Sequence, residues 1–358
     1  MKKIVGSFLC LSFLVAAVFI SELKAADSDP VVEVVTGVSH SLLLKNDGTV
    51  WAWGRNINGE LGIGETAIKH NGKEVGVVFP TQVKNLTEII DVDSGYFHSV
   101  ALRNNGTVWA WGNVNSFTGR DISKDLVSVP TQINTLEDIV AISAGGRHSL
   151  ALDKNGIVWT WGIMETTPRK VTNLPENIVK ISSGDEIDRA LDKDGRVWVW
   201  PSESNYQPIM IEGMDGIIEM ADGGGSTSIF LKEDGTVWAW GDNSFGSLGM
   251  GDFSDRYDFT PVKVKNLENV VYISMGSANC YAVDAEGAVW VWGFNHVGQL
   301  GDGSKQSTGL PIKLSTVEGI KLVAASEYHA LVADDKGNVW AWGDNDYGQL
   351  GTVKSKHH

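Results

Sequence analysis

The sequence predicts an all-β fold, a seven-bladed β-propeller of four-stranded antiparallel blades. Three observations carry that prediction. The stretch Gly48-Thr49-Val50-Trp51-Ala52-Trp53-Gly54 returns six more times, with tryptophan pairs at 51/53, 109/111, 159/161, 198/200, 238/240, 290/292 and 340/342, which use all 14 tryptophans of the chain. The copies are spaced 39 to 58 residues apart, the period of a repeat architecture rather than of separate domains. Each copy is a hairpin signal followed by two further short apolar runs, and units of four strands repeated seven times close into a propeller.

Each repeat can be read strand by strand. The first strand is exemplified by His148-Ser149-Leu150-Ala151-Leu152, and the polar turn Asp153-Lys154-Asn155-Gly156 follows it. The second strand, Val158-Trp159-Thr160-Trp161, puts Val158 on one face and both tryptophans on the other, so both rings are expected between blades. A loop of variable length then leads to a strand expected to begin at a proline: Pro80, Pro130, Pro168, Pro208, Pro261 or Pro311. A turn such as Lys265 to Asn269 precedes the fourth strand, for example Val270 to Ser274. Val31 to Thr36 matches a fourth strand and is expected to close the last blade, with Thr352 to Lys356 as its candidate third strand, so both chain ends build that blade.

The chain divides into a leader over residues 1–25 and a single propeller domain over residues 26–358. Lys2 and Lys3 precede the apolar run Ile4 to Ile20, and Ala25 offers a small residue for cleavage, the pattern of a secretory signal peptide. The protein is therefore expected to be secreted or held in the cell envelope. Cleavage would leave it with no stable membrane insertion; the alternative is an uncleaved anchor. The formal net charge is −15, and the leader's three lysines and one glutamate leave the remainder more acidic still. Such a surface repels phosphate backbones, so nucleic acid is not an expected partner. Cys10 leaves with the leader and Cys280 alone cannot form an internal disulfide.

The pattern Gly-x-x-His-Ser-Leu-Ala-Leu, then Gly-Thr-Val-Trp-Ala-Trp-Gly, then Gly-Gln-Leu-Gly resembles the regulator of chromosome condensation repeat. The last element is intact at Gly298 to Gly301 and Gly348 to Gly351, and varied at Gly59 to Gly62 and Gly246 to Gly249. It is degraded around Phe117-Thr118-Gly119 and missing from the third and fourth repeats. The resemblance implies the propeller fold and makes protein binding plausible, as in a secreted bacterial β-lactamase inhibitor of similar plan. The nuclear exchange and chromatin roles of the family's founder do not carry over to an acidic chain with a leader.

Chemistry-bearing residues read mainly as structure. His40, His98, His148 and His329 occupy one repeat position in different blades and are expected to be turn or core histidines. Asp153-Lys154-Asn155-Gly156 and Asp192-Lys193-Asp194-Gly195 fall on hairpin turns and lack the downstream acid of a calcium loop. Cys280 replaces a serine of the other repeats and reads as a packed residue. No catalytic set, metal or cofactor is expected.

Strand parity puts the loops after the tryptophan strands on one face, together with the connections that precede the histidine strands. Most phenylalanines and tyrosines fall there. Tyr96, Phe97, Phe245, Phe294, Tyr328 and Tyr347 are the candidate anchors of a docking surface. The expectation is a monomeric, non-catalytic module that binds a protein. The alternative is an extracellular enzyme or glycan-binding protein that acts on cell-wall or extracellular polymer at the same face.

Overall fold

The computed structural model describes residues 21–24, 30–66, 68–70, 73–113, 127–162, 165–202, 207–223, 226–254 and 258–351. They form seven four-stranded antiparallel sheets, plus one small hairpin of Ile68–His70 and Lys73–Val75 in a loop of the first blade. The first blade runs from the centre outward as Val31–Thr36, His40–Lys45, Val50–Gly54 and Val77–Gln82. Blades two to six repeat that order, with inner strands Ile89–Ser94, Ile139–Ala144, Ile178–Ser183, Ile217–Asp222 and Val270–Met275. Among the described residues there is no helix.

The blade boundary differs from the sequence repeat. The strand expected to finish each unit pairs instead with the histidine strand that follows it, as Val31–Thr36 does with His40–Lys45. A three-residue turn joins these two neighbours, and such tight hairpins are the favoured way to pair consecutive strands. The longer link from the outer strand therefore crosses between blades. The two faces inferred from parity are unchanged.

The last blade is made by both ends of the chain, but not by the strand expected. Ile320–Ala325, His329–Asp334 and Asn338–Gly343 come from the C-terminal side, and Ser21–Lys24 adds the outer strand by pairing antiparallel with Asn338–Gly343. Val31–Thr36 is instead the inner strand of the first blade. Ser21–Lys24 lies within the stretch expected to be a leader. Thr352 to Lys356 and the degraded Phe117-Thr118-Gly119 lie outside the described residues.

Seven apolar cores fill the seven junctions between blades. The buried residues of each come from two neighbouring sheets, and the junction of blades seven and one is filled by Val31, Val34, Leu43, Trp53, Leu331 and Leu350. The second tryptophan of each pair is the main occupant: Trp53, Trp111, Trp292 and Trp342 are wholly buried, and Trp161, Trp200 and Trp240 nearly so. The first tryptophan is only half-buried at every copy. It lies at the rim of the same core, and in Trp51 its Nε1 donates to Thr49 Oγ1 at 3.1 Å. Both rings lie between blades as expected, but at different depths. Alternation holds, since Val158 packs toward the fourth blade while Trp159 and Trp161 pack toward the second.

The Gly-Gln-Leu-Gly element is the bracket for that buried ring. Trp53, Trp111, Trp292 and Trp342 each donate their indole N–H, at 2.8 Å, to the main-chain carbonyl of Gln349, Glu60, Ser247 or Gln299 in the preceding blade. A buried indole needs such an acceptor. A Cβ at Gly62 or Gly301 would press into the neighbouring indole, and both sit at positive φ, so glycine is required there. The prolines also differ from expectation. Pro80, Pro130, Pro168, Pro261 and Pro311 stand fourth in their strands, not first; only Pro208 precedes its strand. Those five lie in outer strands, where an edge position tolerates a missing N–H.

Truncation separates the two N-terminal strands. Removing residues through Lys24 should lower the melting temperature by a few degrees, because it uncovers only the edge of Asn338–Gly343. Removing residues through Thr36 should abolish the cooperative transition, because Val31 and Val34 leave the core that joins the ends of the ring. Circular dichroism melts that coincide for the two deletions would refute this assignment.

Candidate functional site

The inner strands enclose a central channel of about 350 Å³ lined by all seven blades. One mouth is narrowed by the turns that leave the inner strands, including Gly37, Gly95, Gly145, Gly184, Gly223 and Gly276, with Ser326 in the seventh blade. These turns pack backbone against backbone. A Cβ at Gly95 would lie 2.1 Å from the Gly145 carbonyl oxygen, and one at Gly276 would lie 2.0 Å from that of Ser326. In the fifth blade the packed glycine is Gly223, one residue earlier than the repeat spacing indicates; Gly224 lies outside the described residues.

The repeated histidines tie neighbouring blades together. His40, His98 and His329 place Nε2 at 3.1, 3.0 and 2.8 Å from Ser99, Ser149 and Ser41 Oγ respectively. Burial pushes all three down to about 3, so they are neutral at physiological pH. His148 differs: its Nε2 meets both Asp188 Oδ1, at 2.6 Å, and Ser183 Oγ, at 2.8 Å. Serine, histidine and aspartate are therefore brought together, which the sequence did not reveal. A nucleophilic triad needs serine and carboxylate on opposite ring nitrogens. Here both share one nitrogen in a buried junction, and the group is a tie between blades three and four.

The calcium-like loops are Asx turns. Asp153 Oδ1 accepts from the N–H groups of Asn155 and Ile157, and Asp192 Oδ1 from those of Asp194 and Arg196. Cys280 is fully buried and its thiol is pushed up by burial, which leaves it unreactive.

Carboxylates line the channel. Glu33, Asp91 and Asp93 accept from the N–H groups of Val92, Ile142 and Ala144 on the next inner strand. Burial pushes Asp91 up to about 7, with the charge of Asp93 adding to it, and burial pushes Asp93 up to about 6. A carboxyl raised by folding favours the native state when protonated, and that contribution is lost as pH climbs from about 4 through 7. Asp91→Asn should therefore change stability little at pH 4 and raise it by about 1–2 kcal/mol at pH 8, a figure reduced for screening by channel water. Urea titrations at the two pH values provide the measurement, and equal effects would contradict it.

The six candidate anchors lie on the face of the narrowed mouth, on loops of blades five, six, seven and two, in an arc that Arg55 of blade one joins. Phe245 and Phe294 meet edge to face at 4.6 Å, and His296 lies 4.5 Å from Phe294. Phe97 and Tyr347 flank the Arg55 guanidinium at 4.8 and 5.9 Å. Tyr96 is 6.1 Å from Phe97, and its hydroxyl donates to Asp185 Oδ2 at 2.9 Å. Tyr328 is hydrogen-bonded to Glu327, which pushes its phenol up to about 12. Five of the six are half-buried, while Phe245 is 39% exposed.

Arg55 and His296 escaped the sequence reading. Arg55 could have been found: Glu60 replaces the glutamine of Gly-Gln-Leu-Gly, and a buried acid needs a partner. Arg55 Nη1 supplies it at 2.7 Å. The pair holds the cation between two rings, where a cation–π contact and a charged hydrogen bond act together.

Models of the regulator of chromosome condensation (RCC1) repeat match residues 47–102, 234–283 and 286–333, and in a second form residues 31–60, 89–117, 139–165 and 320–349. The chain is 30% identical over 277 residues to the human probable E3 ubiquitin-protein ligase HERC6, covering 76% of this chain and 19% of that one. It is 27% identical over 276 residues to the ultraviolet-B receptor UVR8 of Arabidopsis thaliana, covering 75% and 54%. The chain thus spans about a fifth and about half of these relatives. Among solved structures, human WBSCR16 superposes with a TM-score of 0.71 at 20% identity, over 89% of this chain and 88% of that one. Prp20p of Saccharomyces cerevisiae, whose structure was described with its binding to Gsp1p and histones, gives 0.70 at 21% identity, over 87% and 82%. At these identities the superpositions establish the fold.

Proposed function

The chain belongs to the regulator of chromosome condensation repeat family, and from that premise we propose that it is a non-catalytic module that docks a protein on its aromatic face. Arg55 held between Phe97 and Tyr347 carries this reading. Arginine and aromatic side chains preset in position lose little entropy on binding, and they dominate the energetics of interfaces. The protein-binding relative Prp20p supports the same class of role. Export remains part of the proposal, resting on Lys2, Lys3 and the apolar run to Ile20. Cleavage near Ala25 would remove the strand Ser21–Lys24, and mass spectrometry of the secreted protein would determine whether that strand is retained.

The test is binding to a partner identified by cross-linking in the producing cells. Phe245→Ala with Phe294→Ala should weaken binding about tenfold or more, with an unchanged melting temperature. Lys45→Ala and Lys232→Ala, whose ammonium groups cover Trp51 and Trp238 on the other face, should leave it unchanged. The reverse pattern would place docking on the wrong face.

A further inference from the structure

The face opposite the aromatic arc carries a second repeated feature. In all seven blades the pairing of the inner strand with its neighbour slips across the second inner-strand residue. Such a bulge leaves one residue out of the ladder and turns its side chain away from the sheet. The residues so displaced are Val32, Ile90, Val140, Val179, Ile218 and Val271, between 43 and 58% exposed. They stand one position before channel-lining residues such as Glu33, Asp91, Glu219 and Tyr272. They therefore form a ring of aliphatic side chains around the second mouth of the channel.

The fold does not require this apolarity. The seventh blade has Lys321 at the same bulge, exposed, in an otherwise equivalent inner strand. Isolated exposed aliphatics need no explanation, but six at one structural position around one opening form a patch. Just outside the ring, the link entering each of blades three to seven carries an exposed acid two residues before the inner strand: Glu137, Glu176, Asp215, Glu268 and Glu318. Apart from Lys321, the cations of this face are set farther out, and four of them are engaged. Lys45, Arg103 and Lys232 cover Trp51, Trp109 and Trp238 at 4.6 to 4.7 Å, and Lys154 pairs with Asp138 at 2.7 Å.

We propose that this mouth is a second docking surface, and that its occupant is a protein segment with an apolar centre flanked by lysine or arginine. The apolar ring supplies the desolvated centre of the interface and the acidic rim its charge selectivity. The same rim disfavours a second copy of this chain, which would oppose acid to acid. It also disfavours anionic lipid. The surface is distinct from the aromatic arc, so the two readings can fail separately.

The probe is a fluorescein-labelled amphipathic helical peptide of leucine and lysine, titrated against the full chain by anisotropy. Ile90→Ser with Val140→Ser and Val271→Ser should weaken binding about tenfold or more, as should Glu137→Gln with Glu268→Gln and Glu318→Gln. All six positions are exposed, and unchanged melting curves verify that the variants fold. Asp344→Asn with Asp346→Asn, on the aromatic face, should have no comparable effect. An equal loss from that pair would show diffuse charge attraction and overturn the proposal. So would binding that survives the serine replacements. Concentration-dependent dimerisation abolished by those replacements would assign the ring to a second copy, and co-sedimentation with phosphatidylcholine vesicles lost in the same variant would assign it to lipid. Either result also overturns the proposal.

Discussion

Trp161→Ala is expected to destabilise the protein by about 3–5 kcal/mol, and Trp159→Ala by about half as much. The two rings sit two residues apart on one strand and reach the same core between blades two and three. Trp161 is 1% exposed, whereas Trp159 is half-buried at the rim, where its Nε1 donates to Asp153 Oδ2 at 3.2 Å. Truncating the inner ring leaves a cavity that two closely packed sheets cannot collapse to fill. Truncating the outer ring opens a site that water can enter. Guanidinium titrations of the two variants measure the difference. Equal losses would show that position within the junction does not matter, against the packing described.

Arg189→Ala should be as severe, at about 3–5 kcal/mol. Arg189 stands where the other second strands carry Leu42, Val100, Leu150, Ile229, Tyr281 and Leu331, so a cation occupies a hydrophobic position in the ring. Its Nε lies 2.8 Å from Asp222 Oδ1, and both side chains are at most 1% exposed. Removing the guanidinium strands a buried carboxylate. Removing both charges spares Asp222, and Asp188 keeps its bonds to His148 and Ser183. Arg189→Leu with Asp222→Asn should therefore recover more than half of the loss, since leucine serves this position in three other blades. A double variant no better than Arg189→Ala would mean that shape, not charge, holds that junction.

Much of the fold was legible because its signals are local and repeated. Every turn that leads into a tryptophan strand places glycine at positive φ, and Gly48, Gly106 and their counterparts announce it directly in the sequence. The blade boundary was less legible. Val31–Thr36 has the same composition whether it ends one unit or begins the next, and only the three-residue turn to His40 decides the matter. The depth of the two tryptophans was also hidden, since alternation assigns a face but not a radius. Among the candidate anchors, the sequence placed six aromatic residues on one face, but it could not show that Arg55 would be gripped by two of them. That contact joins loops from blades seven, one and two, which are far apart in the chain. The Ser183–His148–Asp188 tie escaped for the same reason.

The pairing of Ser21–Lys24 with Asn338–Gly343 has a consequence for biosynthesis. A ribosome delivers the chain from its N-terminus, so blades one to six can assemble in sequence while the seventh is still unmade. Through that interval Ser21–Lys24 has no strand to join, and the junction face of the first blade, with Val34, Leu43 and Trp53, has no neighbour to cover it. The arc stays open until almost the last described residues emerge. Folding is thus vectorial up to the final step, which joins the two ends at once. A nascent chain stalled before Asn338 should be protease-sensitive in its first blade and protected in its third.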